Sequence, residues 1–88
     1  MQLNMSDDQE RILRTIVRYA ADGRVFRTPE IWLHVPGKAA LDVIEATLPT
    51  LVPPGYIREV SPAAYRLNLN NAVVVELLRE LSETGDTT

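Results

Sequence analysis

Tyr56-Ile57-Arg58-Glu59-Val60 and Ala64-Tyr65-Arg66-Leu67-Asn68 are two β-prone runs separated by Ser61-Pro62-Ala63. Aromatic and β-branched residues fill both runs, and the proline with its small neighbours marks a turn, so the segment predicts a β-hairpin. Its register stays open, because a two-residue and a three-residue loop turn opposite faces inward. Immediately upstream, Val52-Pro53-Pro54-Gly55 is a chain stop.

Before that stop, Leu41, Ile44, Leu48 and Leu51 recur at spacings of three and four, the buried face of a helix expected over about Lys38–Leu51. Pro49 removes a donor near its end and predicts a bend or early termination. Thr28-Pro29-Glu30 announces an earlier, two-turn helix, with Thr28 as cap, Pro29 in its first turn and Ile31, Trp32, Leu33 and Val35 as apolar residues. Pro36-Gly37 stops it. Val25-Phe26-Arg27 is a short β-prone stretch.

The first helix opens on a capping box, Ser6 with Gln9, and carries Ile12, Leu13, Ile16, Val17 and Ala20 as one stripe. Asp22-Gly23 closes it. Arg11, Arg14 and Arg18 fall opposite, where Asp7→Arg11 and Glu10→Arg14 are acid-before-base pairs, so a solvated face is expected there. After the hairpin, Asn70 or Asn71 can cap a last helix striped by Val73, Val74, Leu77, Leu78 and Leu81 and widened by Val75. Its β-branched residues lower its intrinsic helicity, so it depends on packing.

The chain has 88 residues, no cysteine and a formal net charge of −3. That is one small domain with no disulfide or thiolate chemistry, and a cytoplasmic setting is expected. No apolar run approaches the roughly 18–20 residues of a membrane span, and the polar start is no signal peptide. Residues 1–69 hold eight basic and eight acidic side chains. From Asn70 onward, Arg79 stands against Glu76, Glu80, Glu83 and Asp86, so the acidic excess belongs to the C-terminal end. Residues 84–88 read as a disordered tail.

Thr28-Pro29-Glu30-Ile31, the Pro36-Gly37 turn, Leu48 with Leu51, and Gly55-Tyr56-Ile57 leading to Tyr65-Arg66-Leu67 together resemble the winged helix-turn-helix superfamily over residues 8–69. The expected fold is α+β, mainly α: a three-helix core with a two- or three-stranded β wing over residues 1–69, plus a C-terminal helix over 70–83. The resemblance implies a DNA-binding transcriptional regulator, with the third helix in the major groove and the hairpin wing on the backbone. It also implies a homodimer through the added helix, with Val74, Leu77, Leu78 and Leu81 as its interface; packing of that helix against helix one within the chain is the plain structural alternative.

The candidate DNA-binding residues are Lys38, Arg58, Arg66, Arg24 and Arg27. Each has a plain structural alternative: Glu59 could pair across the hairpin with Arg66, and Arg24 and Arg27 could cover helix ends. Helix three itself departs from a groove reader, because its outward positions are Ala39, Asp42, Val43 and Ala46 with Glu45 nearby. That base-poor face suits a protein partner, the alternative function.

No catalytic set is legible, and an enzyme is not expected. His34 is the only histidine, and with no cysteine a metal site lacks ligands; a partly buried histidine beside Trp32 is the expectation. Pro36-Gly37-Lys38 lacks the earlier glycine and the following Ser or Thr of a phosphate loop. No cofactor is expected.

Overall fold

Helix α1 (Asp7–Tyr19) starts on the capping box: the Ser6 hydroxyl accepts from the Gln9 N–H at 3.1 Å, and the Gln9 side-chain carbonyl accepts from the Ser6 N–H at 2.9 Å. The computed structural model describes residues 5–37 and 40–85. Ile12, Leu13, Ile16 and Val17 are buried to within 2% of complete, as their spacing predicts. Gly23 then reverses the chain at φ +82°, a conformation that favours glycine.

Strand β1 (Val25–Arg27) runs directly into helix α2 (Thr28–Trp32). The expected cap shifts by one residue: Arg27 holds the capping position with no side-chain bond, and Thr28 is already the first helical residue. Pro29 still sits in the first turn, where its missing N–H costs nothing.

The long third helix divides. Helix α3 covers Leu41–Thr47, and a 3-10 turn continues through Leu48–Leu51 around Pro49. Proline cannot donate to the α-helical ladder, so the chain tightens rather than continues. Ile44, Leu48 and Leu51 are fully buried, but Leu41, expected beside them, is 38% exposed. It is the first residue of α3, and the turn that would carry the stripe over the core begins only at Ile44.

The hairpin forms from β2 (Ile57–Ser61) and β3 (Ala64–Leu67), so only Pro62 and Ala63 make the loop. Ala63 takes φ 62°, the one positive value outside glycine among the described residues. β1 joins the same antiparallel sheet on the far side of β3, giving the order β1-β3-β2. The β2–β3 register runs Ile57↔Leu67, Arg58↔Arg66, Glu59↔Tyr65 and then slips to Ser61↔Ala64, which leaves Val60 as an extra residue. Phe26, opposite Tyr65 with ring centroids 6.0 Å apart, Ile57 and Leu67 are buried on the inner face. Burial, with Glu59 opposite, pushes the Tyr65 phenol above its ordinary pKa.

Helix α4 (Ala72–Gly85) reaches past the expected end at residue 83. Asn71 rather than Asn70 caps it, the side-chain oxygen accepting from the N–H groups of Val73 at 2.9 Å and Val74 at 3.2 Å. The same side chain donates to the Pro54 carbonyl at 3.3 Å, tying the helix start to the turn before the hairpin. Asn71→Ala is therefore expected to lower stability by about 1–2 kcal/mol, the upper range for a lost cap. A urea titration checks it, with an unchanged midpoint as the contrary result.

Among the described residues the result is a mixed, mainly helical α+β fold of four helices and one three-stranded sheet. No helix among them is long and apolar enough to cross a membrane.

Candidate nucleic-acid interface

In a strand, alternate residues point to one face. Phe26 of β1, Tyr65 and Leu67 of β3 and Ile57 of β2 face the core, so Val25, Arg27, Arg58 and Arg66 face outward. On the central strand Arg66 lies between Val25 on one side and Arg58 on the other. Three arginines thus share the outer face of one small sheet.

The pairing of Glu59 with Arg66 allowed by the sequence does not form, because Glu59 stands opposite Tyr65 instead. None of Arg27, Arg58 and Arg66 has a carboxylate within 4.0 Å among the described residues. Arg66 donates through Nε to the Gly23 carbonyl at 2.8 Å, which fixes its stem and leaves the end of the guanidinium outward. The positive φ of Gly23 calls for glycine, while an added Cβ would meet only the end of the exposed Leu69 side chain, at 3.3 Å. Beside the two hairpin arginines lies a depression of about 280 Å³, bordered by Asp22, Gly23, Val60, Leu69 and Asn70.

Arg24, a candidate from the sequence, is engaged elsewhere. Its guanidinium meets the Asp22 carboxylate at 3.1 Å and lies 5.5 Å from the centre of the Tyr19 ring. The Arg24 guanidinium holds the Asp22 carboxyl below its ordinary value. Lys38 and Ala39 lie outside the described residues. Of the alternative partner-binding set, Asp42, Val43 and Ala46 are exposed on α3, and the exposed part of that helix carries no base.

The C-terminal helix is spent largely inside the chain. Val74 and Leu77 are buried in the core, and Leu78 and Leu81 are half-buried against it, so the surface expected to form a dimer packs within the monomer. α4 lies against α1, and Glu80 reaches Arg14 at 3.4 Å, while Glu10 holds the same guanidinium at 3.1 Å. The Asp7–Arg11 pair expected one turn earlier is not made.

His34 is exposed beyond the end of α2, not partly buried within it, and its ring lies 4.8 Å from that of Tyr19. Among the described residues no group of three or more His, Cys, Asp or Glu is placed to hold a metal ion. Trp32, expected in packing, is exposed over almost half its surface.

Sequence reasoning identified all three sheet arginines but not their company. Arg58 directly follows Ile57 and Arg66 directly follows Tyr65, so alternation turns each away from a core residue, and only the register brings the two arginines face to face. Compared with known protein families, with curated proteins and with solved structures, the chain matches none.

Proposed function

We propose that this chain is a winged helix-turn-helix protein that binds double-stranded DNA through the arginine face of its sheet, as a small regulator of transcription. The order of elements, with the third strand central and a hairpin after the third helix, supports the superfamily reading. The observation that carries the DNA reading is Arg58 directly opposite Arg66, with no carboxylate within 4.0 Å of either among the described residues. Like charges at opposed positions of a ladder oppose folding by roughly 0.2–1 kcal/mol. Apart from the Arg66–Gly23 hydrogen bond, such an arrangement gives the sheet no support, and it suits a phosphate backbone, where planar guanidinium groups bind in pairs of hydrogen bonds. Because the exposed face of α3 offers Asp42 and Glu45 rather than donors, contact is to the backbone rather than to base edges.

Fluorescence anisotropy on a duplex across a salt series tests this. Three neutralised phosphates give a slope of log K against log salt of about −2.7. Absence of binding at low salt, or binding without a slope, removes the reading. Arg58→Thr separates function from folding, because its two effects have opposite signs. It should raise stability by about 0.2–1 kcal/mol as the like-charge pair disappears, while making the salt slope shallower by about 0.9. A destabilised variant would mean that Arg58 serves the sheet.

A further inference from the structure

We infer that a second copy of this chain docks its arginine-bearing sheet face onto the outward face of α3, a head-to-tail self-association. The inference stands independently of DNA binding, though it uses the same arginines. The α3 side offers exposed apolar surface: Leu33 just past α2 is 74% exposed, and Leu41 and Val43 of α3 are 38% and 36% exposed. Asp42 and Glu45 lie between Leu41 and Val43 around the outer side of α3, exposed and with no cationic partner among the described residues. Between Thr28 and Ile57 the sequence contains no lysine or arginine except Lys38.

The sheet side is its complement. Val25 and Val60 are 47% and 48% exposed, beside Arg27, Arg58 and Arg66. Apolar surface therefore meets apolar surface while guanidinium meets carboxylate, the geometry in which arginine forms paired hydrogen bonds. Both elements bury their other side in one core, so both faces point outward and are open to another molecule.

Symmetric pairings fail on charge. Sheet on sheet would bring six arginines together, and α3 on α3 would oppose Asp42 and Glu45 with their own copies. α4 has placed Val74 and Leu77 in the core and presents Glu76 and Glu80. Of the unlike pairings, sheet on α4 meets carboxylates already engaged, Glu76 by Arg79 and Glu80 by Arg14, whereas Asp42 and Glu45 have no cationic partner among the described residues, so sheet on α3 remains. Such a heterologous contact leaves one free face of each kind at its ends, so copies add in a row or close into a ring. An arginine face covered by a neighbour is closed to phosphate, so DNA and self-association compete.

The test is a charge exchange, read by sedimentation velocity on the full chain at low salt and up to ~1 mM protein, where transient contacts register. The wild type should show a mass that rises with concentration and falls back to monomer on adding salt. Asp42→Arg/Glu45→Arg alone, and Arg27→Glu/Arg58→Glu alone, should each associate at least ~100-fold more weakly, since each places like charges face to face. Mixed together, the two variants should associate again. A monomer at every concentration overturns the proposal, as does association that survives in both single-surface variants or fails to return on mixing. All four positions are exposed, and a cooperative thermal transition no lower than that of the wild type shows that each variant is folded. Asp42→Asn/Glu45→Gln keeps every sheet arginine and adds no cation, so its titration with duplex DNA reads the DNA proposal separately from this one.

Discussion

Phe26→Ala is expected to lose about 3–5 kcal/mol, the range for deleting a fully buried aromatic side chain. A chain of this size has roughly 4–13 kcal/mol in all, so the variant should be close to unfolding at room temperature. Phe26 is fully buried and is the single inward residue of β1, where it faces Tyr65. β1 spans only Val25–Arg27 and passes without a break into α2, so nothing else on that strand anchors it to the core. The cavity would therefore release a strand and loosen the helix that follows, rather than leave a local void. Circular dichroism during a thermal scan checks this, with a fall in Tm of ~15 °C or more expected for a domain this small. A loss under about 1 kcal/mol would mean that the sheet is held by its hydrogen bonds and not by this ring.

The second large effect is on binding. Replacing Arg27, Arg58 and Arg66 together by alanine is expected to weaken duplex binding by ~1,000-fold at ~50 mM salt. Each neutralised phosphate contributes about 0.9 to the exponent of the salt dependence, and three are lost at once. Stability should change little, since the lost Arg66–Gly23 hydrogen bond, about 0.5–1.5 kcal/mol, is offset by relief of the Arg58–Arg66 opposition. Anisotropy with the wild type and the triple variant on one duplex measures it. A loss below tenfold would move the DNA-contacting surface off the sheet.

Both expectations rest on strand pairing, and pairing is where the amino-acid sequence runs out. Caps, prolines and apolar spacing are local properties, and they were legible: the Ser6–Gln9 box, the break at Pro49, the turn at Gly23 and the stripe of α1 all form. The Leu41 exposure was not, because spacing places a residue on a helix face but does not say how far the core extends beneath it. Nor was the Arg14–Glu80 pair, which joins residues 66 positions apart. The α4 stripe was legible as apolar, yet apolar character alone does not distinguish a core from a partner.

The charge of −3 is a sequence property, and so is its concentration beyond Asn70. Whether Arg66 meets Glu59 or Arg58 is a tertiary one. Val60 is an extra residue in β2, and since side chains alternate at every step, a slip of one residue exchanges the two faces. No propensity records that slip. The sequence by itself determined the elements and the signs of their charges, because those follow from neighbours within a few residues. The sheet alone decided that three arginines stand together with no carboxylate in ion-pair reach among the described residues, because opposition across a ladder depends on register, which the chain settles only on folding.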